Sequence, residues 1–114
     1  MNISKDYFNT ALLVIDVQQG LFRKAIPIYQ SGALLDNIHI LVEKAHRAGV
    51  PVVYIQHSDK LALINDSEDW QLHPQLQPLK IDYIVHKQRG NAFEDTNLGE
   101  ILDASRVGKL VITG

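Results

Sequence analysis

The sequence predicts an α/β protein, a parallel sheet with helices on both faces. Two observations carry that prediction. The run Ala11-Leu-Leu-Val-Ile15 is apolar without a break and leads straight into Asp16, which suits a strand buried on both faces. Apolar runs of this kind then alternate with helical patterns, in the order strand, helix, strand, long loop, strand, helix, strand. An ionised carboxylate is costly inside an apolar layer, so Asp16 is expected where the first strand emerges. In open α/β sheets the carboxyl ends of the strands are where ligands bind.

The first strand is expected over residues 11–17, followed by a loop over 18–32 in which Pro27 opposes a helix. Residues 33–48 carry Leu34, Ile38, Leu41, Val42 and Ala45 at helical spacing, with Asp36, Glu43, Lys44 and Arg47 opposite. Gly49 stands where a left-handed cap belongs, and Pro51 bars continuation. Residues 51–57 form a second strand through Val52, Val53, Tyr54 and Ile55. The pattern dissolves over 58–80, around Trp70, Pro74 and Pro78, and a connection this long is usually functional or mobile. Residues 82–87 read as a third strand and 89–95 as a loop. Thr96 is expected to N-cap a helix through Leu98, Ile101 and Leu102 that Gly108 closes, and 109–114 read as a fourth strand. Right-handed crossovers would bring Asp16, His57, Lys87 and Gly114 to one rim.

A chain of 114 residues supports one domain, spanning 1–114. With 46% hydrophobic and 21% charged residues it is ordinary for a globular protein, and a net charge of −2 offers no field for nucleic acid. The first ten residues lack the apolar core of a signal peptide, and no apolar stretch is long enough to span a bilayer. A cytoplasmic protein without a membrane partner is expected. The chain has no cysteine, which excludes disulfides, thiolate metal sites and a cysteine nucleophile within it.

Asp16 and Lys87 on one rim make either an acid/base pair or a salt bridge tying two strand ends together. Spacing alone leaves both readings open, because structural pairs perturb the same groups.

The segments Leu13-Val-Ile-Asp-Val-Gln-Gln-Gly-Leu-Phe22, Val52-Val-Tyr-Ile-Gln-His57, Trp70 with His73-Pro74, Ile84-Val-His-Lys87 with Asn91-Ala-Phe93, Thr96 with Leu98, and Leu110-Val-Ile-Thr-Gly114 follow one another in order. Together they resemble the isochorismatase-like cysteine hydrolases, which include nicotinamidases and carbamoyl-amide hydrolases, over nearly the whole chain from Ala11. The resemblance implies a Rossmann-like three-layer sandwich with strand order three-two-one-four and two further strands beyond. It makes Asp16, in a D-x-Q context with Gln18, and Lys87 the catalytic aspartate and lysine. The family's cysteine lies beyond the glycine that ends the fourth strand, in a G-x-x-T-x-x-C pattern. Gly114 supplies that glycine, so this chain is expected to be the N-terminal portion of the domain, with Leu110 to Ile112 left as an unpaired apolar edge.

The function so implied for the complete protein is a cysteine amidase that cleaves a small amide through an acyl-enzyme, the 114-residue chain alone being inactive. Gln18, Phe22, Trp70 and Phe93 are the expected substrate-binding residues, although aromatic residues beside a small core also simply fill it. Arg89 either holds a substrate carboxylate or stands in solvent. Nicotinamidases in this family bind a metal through D-x-H and a further histidine. Here His57-Ser-Asp59 reverses that order, His73 lies in a loop and His39 and His46 fall on a helix, so no metal and no cofactor are expected. The partners expected are a small-molecule substrate and further copies of the chain, as a dimer or higher homo-oligomer.

Two alternatives keep the resemblance: a vinyl-ether hydrolase with Asp16 as general acid, and a non-catalytic piece acting only in assembly. A phosphoacceptor receiver domain is excluded, because Val17 rather than a second acid follows Asp16 and the third strand ends in Lys87.

Overall fold

The computed structural model describes residues 9–22 and 31–114. The element order is β1 (Thr10–Ile15), α1 (Gln19–Phe22), α2 (Ser31–Ala48), β2 (Val52–His57), β3 (Tyr83–Lys87), α3 (Leu98–Ala104) and β4 (Lys109–Thr113). The four strands form one parallel sheet in the order β3-β2-β1-β4. Leu12 pairs with Val52 and Val111 across β1, and His57 pairs with Lys87 across β2 and β3.

Because side chains alternate across a strand, the apolar runs divide between two cores. Leu12, Val14, Val52 and Tyr54 face Leu35, Ile38 and Ala45 of α2. Ala11, Leu13, Val53, Ile55 and Val85 face Leu98 and Leu102 of α3 on the opposite side. The unbroken apolar patterning of β1 and β2 is the signature of this double burial. The outer strands are less covered. Ile84 of β3 and Leu110, Val111 and Ile112 of β4 are exposed, and β4 pairs only with β1 among the described residues. No described helix is long and apolar enough to cross a membrane.

Several boundaries differ from expectation. The first strand stops at Ile15 because Asp16 adopts a left-handed backbone, φ 59°. A short helix, α1, forms at the start of the expected loop, while Pro27 falls outside the described residues. Helix α2 begins two residues early and ends as expected at Gly49, φ 71°, where the Gly49 and Val50 N–H groups donate to the His46 and Ala45 carbonyls.

Helix α3 is capped differently at both ends. Asn97 occupies the N-cap position without a side-chain bond, and Thr96 acts from one residue earlier, accepting from the Leu98 N–H at 3.3 Å. At the other end Arg106, not Gly108, takes the left-handed conformation, φ 55°. Its N–H and that of Val107 donate to the Asp103 and Leu102 carbonyls, closing a Schellman motif on a non-glycine residue. Gly108 instead donates its N–H to the Asn9 carbonyl.

The β2–β3 connection lacks regular elements but is ordered by buried anchors. Leu63, Trp70 and Leu76 are buried, and Asp59 Oδ1 accepts the N–H groups of Leu61, Ala62 and Leu63. Those three donors hold the exposed Asp59 carboxyl below the usual carboxylate range. The connection returns to the turn after β1. There Gln19 and Gly20 donate to the Gln71 and Asp69 carbonyls, and Gln18 bridges Leu72. A Cβ at Gly20 would stand 2.7 Å from that of Asp69, so only glycine permits this approach.

Candidate active site at the strand ends

The chain grows outward from β1 through β2 and β3, then returns to add β4 on the other side of β1. The order reverses between β1 and β4. In doubly wound sheets the crevice outside the carboxyl ends at such a reversal is where ligands bind. Asp16 stands at that point, directly after β1.

The four expected strand-end residues do meet. Lys87 Nζ lies 3.4 Å from Asp16 Oδ1, and 3.5 Å from both His57 Nδ1 and the Arg89 carbonyl oxygen. Gly114, φ 115°, passes so close to Ile15 that a Cβ there would overlap the Ile15 carbonyl oxygen. Gly114, the residue after β4, therefore packs against the end of β1, next to Asp16.

The Lys87 side chain is only 5% exposed, against 38% for Asp16. A buried ammonium is costly unless charge and hydrogen bonds compensate it. All three of its neighbours stand just beyond the usual hydrogen-bond distance, and Asp16 Oδ1, itself buried, has no hydrogen-bond partner. The ammonium is thus enclosed by acceptors without being committed to any one of them. Such an arrangement can stabilise negative charge that develops nearby. The left-handed backbone of Asp16 adds a second departure from the relaxed state, of a kind that collects at functional sites.

The expected substrate-binding residues are placed unequally. Gln18 is fully buried, its Nε2 donating to the His57 and Trp70 carbonyls at 2.8 and 2.7 Å and its Oε1 accepting the His57 N–H at 2.9 Å. Both amide hydrogens are engaged, which leaves none for a ligand. Trp70 is buried with its ring edge-on to His86, centroids 5.0 Å apart, and its indole N–H has no acceptor. It borders a cleft with Gln56, Leu72, Ile84 and His86, residues of the α2 side of the sheet. Phe22 packs edge-on to His73 and against the α2-side core. Phe93 is half exposed, on a loop where Asn91 Oδ1 accepts its N–H. Arg89 is neither free nor turned to a ligand, since it pairs with Glu94 at 3.2 Å and Asp95 at 3.1 Å.

Two further clefts, of about 600 and 370 Å³, share Ser58, Asn65 and Gln88 and are lined by neither Asp16 nor Lys87. Among the described residues no group of three or more His, Asp or Glu side chains is placed to hold a metal ion. Sequence reasoning brought Asp16, His57 and Lys87 to one rim but did not find the clamp by which Gln18 holds the His57 main chain. Its one local signal is a glutamine two residues after the aspartate.

Comparison with known proteins bears on the fold and the family. Residues 10–114 match the family model described as the isochorismatase domain. A streptothricin hydrolase of Streptomyces noursei is 32% identical over 106 residues, covering 91% of this chain and 38% of that protein. A secreted isochorismatase effector of Verticillium dahliae is 28% identical over 109 residues, 93% of this chain and 57% of its own length. A crystal structure of an isochorismatase family protein superposes with a TM-score of 0.86 at 31% identity, over 93% of this chain and 63% of that one. The chain spans between 38% and 61% of the curated relatives it matches. The family model spans nearly the whole chain and the parallel sheet superposes on a solved member: the chain belongs to the isochorismatase family.

Proposed function

We propose that this chain supplies the acid/base half of a cysteine hydrolase that cleaves the C–N bond of a small amide. The observation that carries the reading is the Asp16–Lys87 pair, 3.4 Å apart at the reversal point of the sheet, with Gly114 packed against neighbouring Ile15. The reading assigns the nucleophile to polypeptide following Gly114, since these 114 residues hold no thiol. Asp16 takes the thiol proton and the Lys87 ammonium stabilises the anions that result, both of which raise the reactive thiolate fraction. The thiolate attacks the amide carbonyl, the amine leaves with a proton returned from Asp16, and water then releases the acid from the acyl-enzyme. A relative named as a streptothricin hydrolase supports hydrolysis as the reaction class.

The test is amine release from a panel of amides by a longer protein containing this chain. Asp16→Asn and Lys87→Met are each expected to lower kcat by about 10²–10⁴-fold with the fold intact. The 114-residue chain is expected to release none. Full activity in either variant, or hydrolysis by the cysteine-free chain, overturns the proposal. Cleavage of a vinyl ether but no amide would transfer Asp16 to the role of general acid.

A further inference from the structure

Lys87 has a neighbour that the acid/base reading does not use. His57 ends β2 directly opposite Lys87 in the sheet register, and its Nδ1 stands 3.5 Å from the ammonium. Its main chain is clamped on both sides by one buried residue, because Gln18 accepts the His57 N–H and donates to the His57 carbonyl. The segment after β1 that carries Asp16 and Gln18 thereby fixes the main chain of a histidine on β2, whose imidazole stands 3.5 Å from the ammonium on β3.

We infer that His57 is a positioning residue for Lys87, its Nδ1 lone pair accepting from the ammonium and holding it within reach of Asp16. An ammonium carries three hydrogens and no acceptor, and here it has three acceptors around it: the Asp16 carboxylate, the Arg89 carbonyl and His57 Nδ1. Without the imidazole, a long and flexible side chain in a nearly closed site loses one of its three supports. The remaining two lie on flanking segments, Asp16 after β1 and Arg89 after β3. A ring nitrogen that accepts from an ammonium carries no proton, so the proposed contact requires the ring hydrogen of His57 on Nε2. The significance for catalysis rests on the proposed acid/base role of Lys87, but the arrangement itself can be read without substrate.

The test is nitrogen NMR on the ¹⁵N-labelled 114-residue chain and three variants, with backbone amide spectra as the control for folding. In the parent chain, long-range correlations of the His57 ring are expected to show an unprotonated Nδ1 and a protonated Nε2. In Lys87→Met the two nitrogens are expected to converge as the tautomers mix. The Lys87 ammonium signal is expected to be slowed in exchange in the parent. It should persist in His57→Asn, whose Oδ1 can stand where Nδ1 does, and be lost in His57→Leu. A His57 ring protonated on Nδ1, or a Lys87 signal unchanged in His57→Leu, overturns the inference. Should His57→Leu unfold the chain, the ring tautomer in the parent and in Lys87→Met still decides it. An amide hydrolase whose rate is indifferent to His57→Leu would keep the proposed function and sink this inference alone.

Discussion

Replacing His46 with alanine strands a buried carboxylate. His46, in the last turn of α2, donates from Nε2 to Asp82 Oδ1 at 2.8 Å, and the Asp82 side chain is only 1% exposed. The other carboxylate oxygen, Oδ2, accepts the Leu79 N–H at 2.8 Å. Asp82 sits immediately before β3, so the pair ties α2 to the entry of the outermost strand. Its field reaches Tyr54, whose hydroxyl is pushed up to about 12 first by burial and then by this carboxylate. Removing one member of a buried pair costs about 3–5 kcal/mol when the other is left uncompensated. Here Leu79 continues to satisfy one oxygen and the imidazole is 21% exposed, which lets water in. We therefore expect His46→Ala to cost about 2–3 kcal/mol. In urea unfolding, with a slope of about 1.5 kcal/mol/M, the midpoint should fall by about 1.5–2 M. Asp82→Asn keeps one acceptor for the Leu79 N–H and turns an amide NH2 toward His46, whose Nε2 can accept it in the other tautomer, so it should cost about 1 kcal/mol. A double-mutant cycle should show a coupling above about 1 kcal/mol. If His46→Ala lies within about 0.5 kcal/mol of the parent, the pair is a surface contact and the reasoning fails.

Two further perturbations follow from backbone and burial. Arg106 closes α3 in the left-handed region, where an L side chain costs about 1–2 kcal/mol. Part of that is offset by the freedom glycine adds to the unfolded chain, so Arg106→Gly should stabilise the protein by about 0.5–1 kcal/mol in chemical unfolding; a loss would contradict the cap assignment. Burial holds His73 below its usual 6.5, and its Nδ1 accepts the Gln75 N–H at 3.1 Å, a bond only the unprotonated nitrogen can make. The unfolded chain then binds the proton first, so this residue's contribution falls as pH drops from 6.5 toward the lowered folded value. His73→Gln should flatten that part of the stability–pH curve, and an unchanged slope in urea titrations would remove His73 as its source.

The fold was legible because β1 and β2 are buried on both faces, which writes an unbroken apolar run into the sequence, and because α2 ends in a glycine that its geometry requires. Asp16 and Lys87 were legible as polar residues that directly follow such runs. What the sequence hid was made at long range. Gln18 meets Trp70 across 52 positions and His46 meets Asp82 across 36, and neither bond leaves a periodic trace. The caps of α3 misled for a different reason. Thr96 and Gly108 are the residue types that favour those roles, yet the neighbouring Asn97 and Arg106 occupy the positions, because the hydrophobic contacts of Leu98, Leu102 and Val107 set the length of the helix.

The glycine that lets the β2–β3 connection touch the turn after β1 also divides that connection in two. Pinned near its middle at residues 69–72, it behaves as two short closed loops rather than one long one. The entropy of closing a loop rises only with the logarithm of its length. Each half can therefore lengthen or shorten at small cost, and the pin keeps such changes from reaching the strand ends. Variation in what the protein admits can accumulate at the exposed positions around 60–66 and 74–80, outside the anchors Leu63 and Leu76, while the Asp16–Lys87 geometry stays as it is.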